Sequence, residues 1–278
     1  MRFGWFTGVI LLVLSNAAMA GGASDLRKLL TGADNRGWEA VGRLDIAGRA
    51  FCTGALIAPD LVLTAAHCLF DKVSGAPVDP EEIEFLAGWR NGQANAVRRV
   101  SQAIAHPDYR DEAGERRKSV GFDLALLRLV SPIRKASVEP FETDDRPRKG
   151  SLVGVVSYAR ERSENPSLQE ECKVLARRSG MLVLSCDVDF GSSGAPVFSF
   201  DEDGKARIVS VISAKADIDG REVALGTRLK APLADLMALV ANGEAPPVAP
   251  ARSGVKVFTL GGGESPARTT GGAKFVRP

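Results

Sequence analysis

Three short stretches of the chain carry residues that together could cleave an acyl bond. Leu61-Val-Leu-Thr-Ala-Ala-His-Cys68 supplies an imidazole, Gly121-Phe-Asp-Leu-Ala-Leu-Leu-Arg-Leu129 a carboxylate, and Gly191-Ser-Ser-Gly-Ala-Pro196 hydroxyls. A serine hydroxyl is a weak nucleophile until an adjacent base takes its proton. An imidazole serves as that base when a carboxylate holds its other nitrogen, fixing the tautomer and stabilising the imidazolium. His67, Asp123 and Ser193 are the residue types for base, orienting acid and nucleophile. They lie far apart in sequence, so only a tertiary fold can assemble them.

The chain order, His then Asp then Ser, is that of chymotrypsin-like proteases and not that of subtilisins or α/β-hydrolases. On these motifs, residues 38–242 resemble a trypsin-like serine endopeptidase of the bacterial secreted type. His67 sits in the family's Thr64-Ala-Ala-His-Cys68 pattern, with the matching Cys52-Thr-Gly upstream. The family's nucleophile motif is Gly, a variable residue, Ser, Gly, a small residue and Pro, which makes Ser193 rather than Ser192 the reactive one. The resemblance implies an all-β fold of two six-stranded antiparallel β-barrels with a C-terminal helix packed on the second barrel. The triad would lie in the cleft between the barrels, with the amides of Gly191 and Ser193 forming the oxyanion hole. It further implies a Cys52–Cys68 bridge stapling the histidine loop, and acyl transfer without a metal or organic cofactor. Cys172 and Cys186 enclose an expected hairpin with Gly180 near its turn, and pairing them would stabilise the fold by about 3 kcal/mol on the chain-entropy view.

Each motif also has a plainer reading. Ala-Ala-His-Cys alone fits a buried structural histidine, and an aspartate before an apolar run is often a turn residue. A bare Gly-Ser-Ser-Gly string is a common flexible loop. For the second histidine, His106 in His106-Pro-Asp-Tyr109, the plain reading holds: it ends a strand, and Pro107 biases the chain toward a turn. Asp108 in that turn is the rival to Asp123.

Two departures from animal trypsins bear on activation. Residue 192 is Ser where those enzymes carry Asp, and Arg36-Gly-Trp-Glu-Ala-Val-Gly42 stands where Ile-Val-Gly-Gly would begin. The ammonium–aspartate switch of animal zymogens therefore has no counterpart in the same form. For specificity, Asp187 falls where trypsin-like enzymes place the acidic pocket floor, with Ser213-Ala-Lys215 as the opposite wall. A buried Asp187 would favour Arg or Lys before the scissile bond. Lys215 stands where glycine is usual, and it could neutralise that carboxylate, block the pocket or attract an acidic side chain.

The rest of the chain sets the context. Arg2, the apolar run Gly8–Ser15 and Ala18-Met-Ala20 read as a signal peptide over residues 1–20. All four cysteines follow it, an even number that favours disulfides in an exported chain over thiolate metal sites. A net charge of +2 gives no reason to expect nucleic acid. The expected organisation is a leader or propeptide over 21–36, a first barrel over 37–143, and a second barrel with its helix over 144–243. Residues 244–278 form a Pro/Gly-rich, mildly basic tail, expected to be disordered and without a specific partner. The polar stretch Arg110–Lys118 reads as a loop.

Short apolar segments bounded by turn residues read as strands over Val41–Ile46, Phe51–Ala58, Leu61–Thr64, Ile83–Leu86, Val97–Ala105, Leu124–Val130, Leu152–Tyr158, Met181–Cys186, Pro196–Phe200, Ile208–Ser213 and Glu222–Leu229. One helix, Pro232–Ala241, carries Leu233, Leu236, Met237 and Val240 at helical spacing. The expected function is a secreted or periplasmic endopeptidase acting as a monomer on protein or peptide substrates, with no membrane span. A protease-fold binding module without catalysis is the main alternative. An esterase on the usual scaffold would show a Gly-x-Ser-x-Gly elbow and the histidine last.

Overall fold

A computed structural model describes residues 26–110, 120–145, 147–178, 180–243 and 274–276. The expected signal peptide, all but the first residue of the Arg110–Lys118 loop, and most of the tail lie outside the described residues.

Six strands close the first barrel: β2 (Val41–Ile46), β3 (Ala50–Ala58), β4 (Leu61–Thr64), β5 (Ile83–Ala87), β6 (Ala96–Ala105) and β7 (Ala125–Leu129), in the order β2-β3-β4-β7-β6-β5. Leu44, Leu56, Leu63, Phe85, Ile104 and Leu126 fill its interior. β4 is buried at every position, because the barrel core covers one face and the second barrel's serine loop crosses near its end.

The second barrel uses β9 (Leu152–Ser157), β10 (Ser167–Arg178), β11 (Met181–Leu184), β12 (Pro196–Phe200), β13 (Ala206–Ile218) and β14 (Arg221–Arg228). The ring β9-β10-β11-β14-β13-β12 closes where β12 returns to β9 at Val197↔Val155. Its core is a separate cluster that includes Val155, Val174, Leu182, Leu184, Val197 and Ile212. Both disulfides form as expected, Cys52–Cys68 across the histidine loop and Cys172–Cys186 across the β10–β11 hairpin. Gly180 turns that hairpin at φ 82°, a conformation open to glycine at little cost.

Several features differ from the sequence reading. β10 is a twelve-residue strand that begins five residues before the Cys172 end of the expected hairpin. Its inward Leu168, Cys172 and Val174 alternate with charged outward residues, and a bulge between Gln169 and Cys172 breaks the period-two signal. In the leader, β1 (Leu26–Lys28) adds to β10, and Leu29 is fully buried with its N–H donated to the Pro166 carbonyl. The helix, α1 (Lys230–Asn242), buries Leu233 and Leu236 in a cluster to which both barrels contribute. That cluster includes Leu56 and Ile104 of the first barrel and Phe198 and Val211 of the second, and His106 at the end of β6 reaches Asp235 at 3.4 Å. The chain leaves α1 through Gly243 at φ 65°, a left-handed helix stop.

Two short strands lie on β13. β8 (Glu142–Thr143) runs parallel to its start, and β15 (Lys274–Val276) runs antiparallel to its far end. β15 lies within the tail expected to be disordered.

Candidate active site

The histidine is positioned by strand, turn and disulfide together. β4 delivers the chain into a 3-10 turn, Ala66–Leu69, and Cys68 ties that turn to Cys52 on β3. The ring is held in one orientation. Asp123 meets His67 twice: Oδ2 lies 2.7 Å from the ring Nδ1, and Oδ1 accepts the backbone N–H of His67 at 2.9 Å. The Ser213 hydroxyl of β13 donates to the same carboxylate. His67 and Asp123 are each 3 % exposed, and these three donors offset the cost of burying the carboxylate. The loop carrying Asp123 is pinned from the second barrel by Thr227 Oγ1, which lies 2.7 Å from the Val120 carbonyl and 3.1 Å from that of Asp123. With the Nδ1 proton directed at the carboxylate, Nε2 keeps its lone pair. Nε2 is buried and has no hydrogen-bond partner among the described residues.

The serine loop docks on the same part of the first barrel. Ser193 is 1 % exposed, and its carbonyl accepts the Thr53 N–H at 2.8 Å, one residue from the disulfide. A Cβ on Gly194 would fall 2.1 Å from Thr64 Oγ1 and 3.1 Å from the Ala65 amide. Ala65 precedes His67 by two positions, so the loop reaches the histidine turn itself. Behind the loop, Gly194 and Ala195 exchange hydrogen bonds with Ile212 of β13.

Two amides of this loop are oriented by the carbonyls across their own peptide groups. The Phe190 carbonyl accepts Arg160 N–H at 2.7 Å, and the Ser192 carbonyl accepts Ala195 N–H at 3.0 Å. In a trans peptide the N–H points opposite the carbonyl, so the Gly191 and Ser193 amides are directed away from those partners. Gly191 has φ 98°, and a Cβ there would meet the Phe51 ring at 2.2 Å.

A family model described as trypsin-like peptidase domain matches residues 52–209, more than half of the chain. The chain belongs to the trypsin-like peptidase family. It is 34% identical over 100 residues to a trypsin from Saccharopolyspora erythraea, covering 35% of this chain and 39% of that protein. It is 40% identical over 82 residues to coagulation factor XII of Rattus norvegicus, covering 30% of this chain and 13% of that one. These curated relatives are thus matched over well under half of their own length. A solved Glu endopeptidase in complex with MPD shares the fold, with TM-score 0.61 and 16% identity, covering 80% of this chain and 98% of that one.

In this trypsin-like chain the residue before the serine is buried and uncharged. Ser192 Oγ lies 3.3 Å from both the Tyr158 carbonyl and Ser157 Oγ. A neutral hydroxyl satisfied in this way needs no ammonium partner.

The three expected pocket residues separate into different roles. Asp187 is exposed, not a buried floor, and its N–H donates to Gln169 Oε1 at 2.8 Å. Ser213 is buried against the Asp123 carboxylate. Lys215 pairs with Glu222 at 3.0 Å and not with Asp187. Arg162, which the sequence reading passed over, lies within the field of Asp187. Burial pushes its pKa down, while the carboxylates of Asp187 and Asp189 support its charge. Its Nη1 also donates to the Ser157 carbonyl at 2.9 Å. In sequence Arg162 sits in the polar run Arg160-Glu-Arg-Ser163, which reads as an ordinary surface turn. His106 has a structural place: it stacks on Phe122 and accepts the Asp108 N–H at Nδ1. Cys52, His67 and Cys68 cluster within 4.8 Å, but both sulfurs are in the disulfide, so no thiolate is available for a metal.

Ser213 gives a graded test of the carboxylate's hydrogen bonds. Ser213→Ala removes one donor from buried Asp123, a loss of about 1–2 kcal/mol in carboxylate stabilisation. The expected result is a fall in kcat on the order of tenfold with KM little changed, read from initial rates on a fluorogenic peptide. An unchanged kcat would show that this bond does not position the triad.

Proposed function

We propose that the protein is an exported serine endopeptidase that cleaves peptide bonds through an acyl-enzyme. The observation that carries this reading is the buried His67–Asp123 pair, with the Ser193 loop docked two residues from that histidine. Ser193 Oγ attacks the substrate carbonyl while His67 Nε2 takes its proton. The Gly191 and Ser193 amides receive the developing oxyanion. Collapse breaks the C–N bond, and His67 returns the proton to the leaving amine. Water, activated by the same imidazole, then releases the acid and restores Ser193. Asp123 keeps the imidazole in the reactive tautomer and stabilises its cation. The Cys52–Cys68 and Cys172–Cys186 bridges agree with a secreted or periplasmic location. Among the described residues no helix is long and apolar enough to cross a membrane. The substrates are proteins or peptides, taken up by a monomer.

Digestion of casein by the purified chain, beside hydrolysis of a small acyl ester, tests this reading. Cleavage of casein supports the endopeptidase, ester hydrolysis without casein cleavage points to an esterase, and inertness toward both favours the binding module.

For specificity, the exposure of Asp187 weakens the case for a basic-residue pocket, and the charge of Arg162 nearby weakens it further. Peptides differing only in the residue before the cut should show little preference for Arg over Glu. Arg162→Gln should shift the Arg-to-Glu ratio of kcat/KM upward by about fivefold, the effect of one partly exposed charge worth about 1 kcal/mol. A strong Arg preference already present in the parent chain would contradict this.

A further inference from the structure

β13 presents two edges along its length. One pairs with β14 from Ser210↔Arg228 to Ile218↔Arg221. The other is covered by β12 only as far as Val211. Beyond that point the second edge passes Ser213, whose hydroxyl holds Asp123, and continues through Lys215 to Ile218. An uncovered strand edge is a row of N–H and C=O groups that an extended peptide can extend as a further strand. This edge starts at the triad, so a peptide docked on it passes the reactive serine.

The edge is occupied by the chain itself. β15 lies along it antiparallel, in the register Lys215↔Val276, Ala216↔Phe275 and Asp217↔Lys274. Its direction takes the tail from Asp217 back toward Ser213 and so toward the triad. Residues 244–273 join it to the end of α1; at about 3.5 Å per residue they reach at most on the order of 100 Å, ample for the crossing.

We infer that Lys274–Val276 is a ligand held in cis on the peptide-docking edge of β13, and that a protein substrate has to displace it before cleavage. This rests on the endopeptidase reading above. The interaction is carried by main-chain hydrogen bonds, so it fits any extended peptide, and the tail competes by proximity rather than by a special side chain. A tether of this kind gives an effective concentration on the order of 1 mM, so a strand with Kd about 0.1 mM is bound about nine-tenths of the time. A competitor so placed raises apparent KM and leaves kcat alone, because bound substrate excludes the tail.

The test keeps the full chain and changes only the strand. Lys274→Pro, Phe275→Pro and Val276→Pro together remove every ladder donor of β15 without touching either barrel. Apparent KM for labelled casein should fall on the order of tenfold at unchanged kcat, with kcat/KM rising to match. In a Ser193→Ala background, the amides of residues 214–217 should exchange with deuterium faster in the proline variant. Equal KM values would overturn the proposal, whether or not exchange differs. Equal exchange rates would overturn it as well. Two chains inert toward casein would contradict the endopeptidase reading instead, and the exchange comparison would then decide by itself whether the tail holds this edge.

Discussion

Ser193→Ala should lower peptide hydrolysis by at least about four decades, equivalent to about 5 kcal/mol of transition-state stabilisation. The change removes one hydroxyl from a loop whose docking uses backbone groups: the Ser193 carbonyl on Thr53, and the Gly194 and Ala195 amides on their partners. The variant should therefore fold, with a melting temperature close to that of the parent. Ser192→Ala is the matched control. It deletes a buried hydroxyl placed 3.3 Å from the Tyr158 carbonyl and Ser157 Oγ, at a cost of about 1 kcal/mol in stability. Its activity should stay within about tenfold of the parent. If Ser192→Ala were inert and Ser193→Ala retained full activity, the nucleophile would be misassigned by one position.

The largest stability effect is expected at Gly194. Its φ is 78°, and an added Cβ would sit 2.1 Å from Thr64 Oγ1 and 2.3 Å from the Thr53 carbonyl oxygen. Thr64 Oγ1 is already committed to that carbonyl at 2.9 Å, and the carbonyl is backbone, so neither can move cheaply. Gly194→Ala should cost at least about 3 kcal/mol, from about 1 kcal/mol of left-handed strain plus overpacking. That corresponds to a fall in melting temperature of about 6–12 °C. Gly204 has the same φ of 78° with nothing within 4 Å of the added atom. Gly204→Ala should therefore cost only the strain, about 1 kcal/mol. Equal losses at the two sites would show that the serine loop is not packed against Thr53 and Thr64 as described. The same clash displaces Ser193, so residual activity in Gly194→Ala should fall further than stability alone requires.

The site was largely readable because its chemistry allows few residue types. The His67–Asp123 pairing and both bridges follow the motif-based expectation. Strands with a clear apolar run or alternation, such as β4, β12 and β2, appear with the expected limits. The first part of β10, ahead of the expected hairpin, was missed because Glu170 and Glu171 face solvent and the bulge there shifts the alternation. β1 and β15 are three-residue strands whose pairing depends on a distant edge, which no local pattern encodes. The pocket was the least legible part. Ungapped counting placed Asp187 at the pocket floor, but a side chain's exposure and its counter-ion depend on the closure of the barrel. That closure puts Arg162 in the field of Asp187 and leaves Lys215 to Glu222.

The central claim is that Ser193 is the nucleophile activated by His67. A fluorophosphonate probe reports this directly, since it forms a stable adduct only with an activated serine. The native chain is incubated with the probe, digested, and the modified residue located by mass spectrometry. The expected result is a single adduct on Ser193, abolished in His67→Ala although the serine itself is still present. An unlabelled native chain, an adduct on Ser192, or undiminished labelling of His67→Ala would contradict it.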